Sequence, residues 1–68
     1  PSLGEVKQIV LEILKEEGPM SVKELHVILS EMASDEKIRM VLEELVKEGK
    51  VKADSKEKKY FLIGVKNE

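Results

Sequence analysis

Three apolar stripes at helical spacing, each opened by a serine, fill the first 49 residues, and then the period drops to two. In the first stripe, Val6, Ile9, Val10, Ile13 and Leu14 recur at i, i+3, i+4, i+7 and i+8, the pattern of a helix with one buried face. Ser2 with Glu5 predicts a capping box at its start. Gly18 followed by Pro19 predicts its end, glycine as the left-handed cap and proline as the residue that cannot continue. The second stripe opens at Ser21 with Glu24 as its capping partner and Met20 and Leu25 as a hydrophobic staple. Its expected buried face is Val22, Leu25, Ile28, Leu29 and Met32. The third opens at Ser34, with Asp35 and Glu36 on the positive end of the helix dipole. It buries Ile38, Val41, Leu42 and Leu45 and stops at Gly49. The helices are expected at 3–17, 22–32 and 35–48.

Beyond Gly49, Val51-Lys52-Ala53 alternates and Tyr60-Phe61-Leu62-Ile63 is rich in strand formers, with the polar stretch Asp54 to Glu57 between them. Strands are expected at 50–54 and 58–63, paired as a hairpin, with Met20 extended against them as a short extra strand. A hairpin alone is marginal, so this one must pack on the helices through one face. The element order is that of an α+β winged helix, a three-helix helix-turn-helix core followed by a β-hairpin wing. A plain three-helix bundle with a frayed tail is the competing fold.

Sixty-eight residues allow one small domain, expected to span 1–68. Because the chain starts at Pro1, it reads as a domain excised from a longer protein. Lysine and glutamate abound while Gln8 and Asn67 carry the only amides, a composition that leans toward a thermophile. The absence of cysteine removes disulfides and thiolate chemistry, and one histidine cannot make a metal site without carboxylate help. No apolar run reaches the ~18 residues that cross a bilayer. His26 and Ser30 stand one helical turn apart, but no oxyanion-hole or nucleophile-elbow signal accompanies them. Glu16/Glu17, Asp35/Glu36 and Glu43/Glu44 are neighbours in sequence and diverge around their helices. The expectation is a binding domain with no enzymatic activity, no cofactor and no small-molecule ligand.

The charge distribution decides what such a domain is expected to bind. Residues 34–49 hold five acids against three bases, whereas residues 50–63 hold five lysines against two acids. A DNA-reading third helix presents basic and amide side chains to the major groove. Here Asp35, Glu36, Arg39, Met40, Glu43 and Glu44 are the outward positions, and Arg39 is the one conventional base reader. Acids at those places repel phosphate, so weak or no direct DNA binding is expected. Should the domain bind DNA as part of a transcriptional regulator, Arg39 and the wing lysines Lys56, Lys58 and Lys59 are the residues to do it. Leu11, Val27 and Met40 fall off the buried stripes and are expected at the surface.

Residues from about Gln8 to Leu62 also resemble the winged-helix domain at the C-terminus of the middle subunit of replication protein A. The residues that carry the resemblance are SVKEL at 21–25, MASDEKI at 32–38 and KEGKV at 47–51, with the polar wing that ends in Tyr60-Phe61. The resemblance implies a module that recruits replication or repair proteins, such as primase or a DNA polymerase subunit, to a single-stranded-DNA-binding complex. It implies a cytoplasmic, archaeal setting, associated with the nucleoid through that complex. The family's contact stretch falls on Glu48, Lys52, Ala53 and Asp54, and Lys50 and Tyr60 complete the expected partner surface. Lys23 is placed on the opposite side, where a change is expected to matter little.

Overall fold

The computed structural model describes residues 1–64, so the last four positions of the expected 1–68 domain lie outside the described residues. Its elements are α1 (Leu3–Glu17), α2 (Val22–Leu29), α3 (Asp35–Lys47), β1 (Val51–Asp54) and β2 (Lys59–Leu62). Each helix begins where its serine caps it. Ser2 Oγ accepts from the Glu5 amide while Glu5 accepts from the Ser2 amide, and Ser21 and Glu24 repeat the exchange. These reciprocal bonds satisfy donors that the helix cannot satisfy itself. Ser34 Oγ takes the Lys37 amide at 3.2 Å, a single-sided cap. At the end of α1, Gly18 has φ 83° and ψ −160°, a conformation open in practice to glycine alone, and its amide bonds to the Leu14 carbonyl at 3.0 Å.

Val6, Val10 and Leu14 of α1 meet Leu25 and Leu29 of α2, and Ile38, Val41, Leu42 and Leu45 of α3, in one core that Ala33 and Val51 complete. The second helix is shorter than its expected 22–32 span. The amides of Met32 and Ala33 both bond to the Leu29 carbonyl, at 2.8 and 2.9 Å, so the chain turns after Leu29. Ala33 takes the core position expected for Met32, which is 36% exposed, and Ile28 is 51% exposed rather than buried. Leu25 and Leu29, four residues apart, suffice as the buried row of so short a helix. Leu11 departs the other way. The hairpin packs against α1 as well as α3, giving α1 a second covered face, so Leu11 is half-buried against the core.

The two strands pair antiparallel in the register Val51↔Leu62, Lys52↔Phe61, Ala53↔Tyr60 and Asp54↔Lys59. They are a residue or two shorter than expected, although the Ile63 amide still reaches the Lys50 carbonyl at 3.0 Å. Met20 forms the anticipated extra strand as a single bridge. Its amide bonds to the Tyr60 carbonyl at 3.0 Å, and the Tyr60 amide returns a bond to the Met20 carbonyl at 2.8 Å. The helices and the wing are thereby locked together, as a winged helix requires and a frayed bundle would not show.

Candidate nucleic-acid interface

An open groove runs between the start of α2, the exposed side of α3 and the tip of the hairpin. Lys23 comes from α2, Arg39 from α3, and Lys58 and Lys59 from the wing, with Ala53 and Tyr60 on the floor. Alternation along the strands explains the floor: Val51 is buried against the helices, so Ala53 lies on that same face, opposite Tyr60. The groove continues along α3, where Glu43, Val46 and Lys47 face the same Ala53–Tyr60 pair.

The wing turn that brings two lysines into this groove is built by Asp54. Its Oδ1 accepts the amides of Lys56 at 3.0 Å and Glu57 at 3.2 Å, which folds the loop back on itself. The return to β2 then needs a left-handed residue, and Lys58 adopts it at φ 59°. Glycine would hold that conformation without the steric cost that any side chain carries. Lysine there costs stability and places a cation at the groove edge.

Three acids on or next to α3 face basic side chains outside the groove. Lys7 of α1 donates to Glu48 Oε2 at 2.7 Å and lies 3.5 Å from Glu44 Oε1, on the side of α3 away from the wing groove. The hydrogen bond from Lys7 lowers the Glu48 pKa from its ordinary value, and the same bond raises that of Lys7. Asp35 sits at the opposite end of α3, its Oδ1 3.1 Å from His26 Nδ1 of α2. His26 thus faces Asp35, and among the described residues no hydrogen bond joins His26 to Ser30. Among the described residues, Lys23, Arg39 and Lys58 form no ion pair, while Lys59 lies 3.9 Å from Glu24.

The expected partner surface is not one surface. Glu48 turns to Lys7, and Lys50 follows it at 3.7 Å. Lys52 lies on the strand face opposite Val51, and Asp54 spends its carboxylate on the wing turn. Ala53 and Tyr60 line the groove, and Asp54 borders it beside Lys58 and Lys59. The residues expected for DNA converge better, since Arg39, Lys58 and Lys59 share the groove; Lys56 stands exposed on the adjoining turn. Lys23 was missed. Its position just inside the Ser21 cap was the available signal, because the first turn of α2 opens beside the bridge between Met20 and Tyr60. Val27 and Met40 are exposed as expected, at 78% and 49%.

The family model described as penicillinase repressor matches residues 3–65. The chain belongs to the penicillinase repressor family. This is a winged-helix family of DNA-binding transcriptional repressors, not of enzymes. Comparison with curated proteins and with solved structures gives no significant match. Membership corrects the recruitment reading: a repressor family contradicts a replication recruitment module, and nothing supports the replication protein A resemblance beyond the shared winged helix. With it goes the ground for a primase or polymerase partner and for an archaeal replication setting. The physical error lay in adding charges along α3 without their partners. Glu44 and Glu48 belong to Lys7, and Asp35 faces His26 at the helix start. The outward line that remains, Glu36, Arg39, Met40, Glu43, Val46 and Lys47, is balanced rather than acidic. Among the described residues no helix is long and apolar enough to cross a membrane, and no cluster could hold a metal ion.

Proposed function

We propose that this penicillinase-repressor relative binds duplex DNA as the reading head of a transcriptional repressor, with α3 in the major groove and the wing on the flanking backbone. The observation that carries the reading is the convergence of Lys23, Arg39, Lys58 and Lys59 on one groove, drawn from three separate elements. Lys23 and the wing lysines meet phosphates on either side of α3, which fixes register without reading sequence. Ser21 and Glu24 occupy the cap, and the first-turn amides of Val22 and Lys23 are left to face a phosphate beside the Lys23 ammonium. Arg39 is then the side chain whose fork matches a base edge.

Titration of labelled duplex DNA at rising salt tests this reading. Contacts from Lys23, Lys56, Lys58 and Lys59 give log K against log salt a slope of about −3 to −4. Each lysine-to-alanine change shallows that slope by about one. Absence of duplex binding at low salt, or binding indifferent to all four changes, contradicts the proposal.

A further inference from the structure

The outward line of α3 carries a base-reading chemistry of its own, and the inference drawn from it rests on the DNA-binding reading above. Between residues 35 and 47 the helix has no Asn, Gln, Ser or Thr. The amide fork that pairs with adenine is therefore missing from the element that would enter the groove. What remains is one guanidinium, Arg39, with exposed carboxylates one turn before it at Glu36 and one turn after it at Glu43, and Lys47 beyond; of the two acids, Glu43 is the one that lines the groove beside Ala53 and Tyr60. Arg39 and Glu43 are four residues apart, a spacing at which opposite charges on a helix can meet. Yet Arg39 forms no ion pair among the described residues, and neither does Glu43. Both instead line the groove that Ala53 and Tyr60 floor. Met40, beside Arg39 in sequence, is 49% exposed with nothing in the core to claim it.

An unpaired carboxylate facing DNA is costly unless a donor meets it, and cytosine N4 is the base-edge donor that carboxylates accept from in the major groove. Guanine O6 and N7 are the acceptors that match arginine. The four residues from Arg39 to Glu43 advance ~6 Å along the helix axis, under two base-pair steps. We infer that Arg39 and Glu43 together read a guanine and a cytosine within two base steps of each other, with Met40 against a neighbouring pyrimidine edge. Glu43 acts chiefly by exclusion. At guanine or thymine, which show no amino group in the major groove, its charge stays unpaired near phosphates, and at adenine the N7 acceptor beside the amino group repels it, so wrong sequences are rejected rather than the right one held tightly.

The test is selection of bound duplexes from a random library, followed by affinities for the selected site and its single-base variants. Wild type should enrich guanine and cytosine within two steps and lose about tenfold or more when the cytosine pair is replaced, as one good side-chain–base pairing supplies. Arg39→Ala should remove the guanine preference. Glu43→Gln should remove the cytosine preference, bind unrelated DNA more tightly, and shift the favoured base toward adenine, which an amide reads. If Glu43→Gln tightens binding to every sequence alike and leaves the base preference unchanged, Glu43 is only a repelling surface charge and the inference fails. Selected sites without guanine or cytosine at these positions overturn it too, while leaving DNA binding intact. A library from which nothing is retained would overturn the DNA-binding reading itself, and this inference with it.

Discussion

Lys7 on α1 holds Glu48 at the end of α3 with a 2.7 Å hydrogen bond, and Glu44 stands within 3.5 Å of the same ammonium. Forty-one residues separate the two partners of the shorter contact. Through it, one lysine turns two acids of α3 toward α1 and away from the wing groove. Without that partner, α3 reads as a helix that repels phosphate.

The pair makes stability depend on pH at both extremes. Glu48 titrates below its ordinary value, so its contribution is complete above the usual glutamate range and is lost as pH falls through the lowered value. Lys7 titrates above its ordinary value, so its contribution is complete below the usual lysine range and is lost as pH rises through the raised value. Lys7→Gln should therefore melt below wild type at neutral pH, by a small margin because the groups are solvent-exposed. The two melting temperatures should converge as the solution is acidified to about pH 2, below the usual carboxylate range. Equal melting temperatures at neutral pH would mean that the contact adds nothing.

Leu42 is fully buried at the centre of the α3 stripe. Leu42→Ala should cost ~2–5 kcal/mol in urea unfolding, the transfer loss plus the cavity left behind. A midpoint within experimental error of wild type would take Leu42 out of the core.

Lys58 separates stability from function. In the left-handed region at φ 59° a side chain costs ~1–2 kcal/mol, against ~0.5–1 kcal/mol of extra chain entropy lost by glycine. Lys58→Gly should raise unfolding stability by up to ~1 kcal/mol while weakening duplex binding at low salt. A variant that is less stable and binds DNA unchanged would contradict both halves of this reading.

Much of the fold was legible because its signals are local. Serine caps, glycine stops and the switch of period at Gly49 are set by backbone chemistry within a few residues, and they placed every element. The misreadings came from contacts made across the chain. Leu11 became half-buried because the hairpin covers α1, and Met32 lost its core place because Ala33 turned inward after Leu29. The site suffered more, since charge in a sequence is counted by segment but acts in space. Lys7 and Glu48 lie 41 positions apart. Lys23 joins Arg39 and Lys58 only once the bridge between Met20 and Tyr60 brings the start of α2 beside the wing. Arg39, Lys58 and Lys59 are candidate DNA contacts from the sequence alone; Lys23, the fourth cation of their groove, is not.

The central claim is that the groove between α2, α3 and the wing is where duplex DNA lies, and an NMR titration tests it most directly. With labelled protein and a short duplex at low salt, amide shifts should concentrate at Lys23, Arg39, Lys58 and Lys59, with Glu43 and Lys47 following along α3. The amides of Lys7 and its neighbours on α1 should stay in place. Shifts gathered on α1 instead, or none at any duplex concentration, would contradict the account.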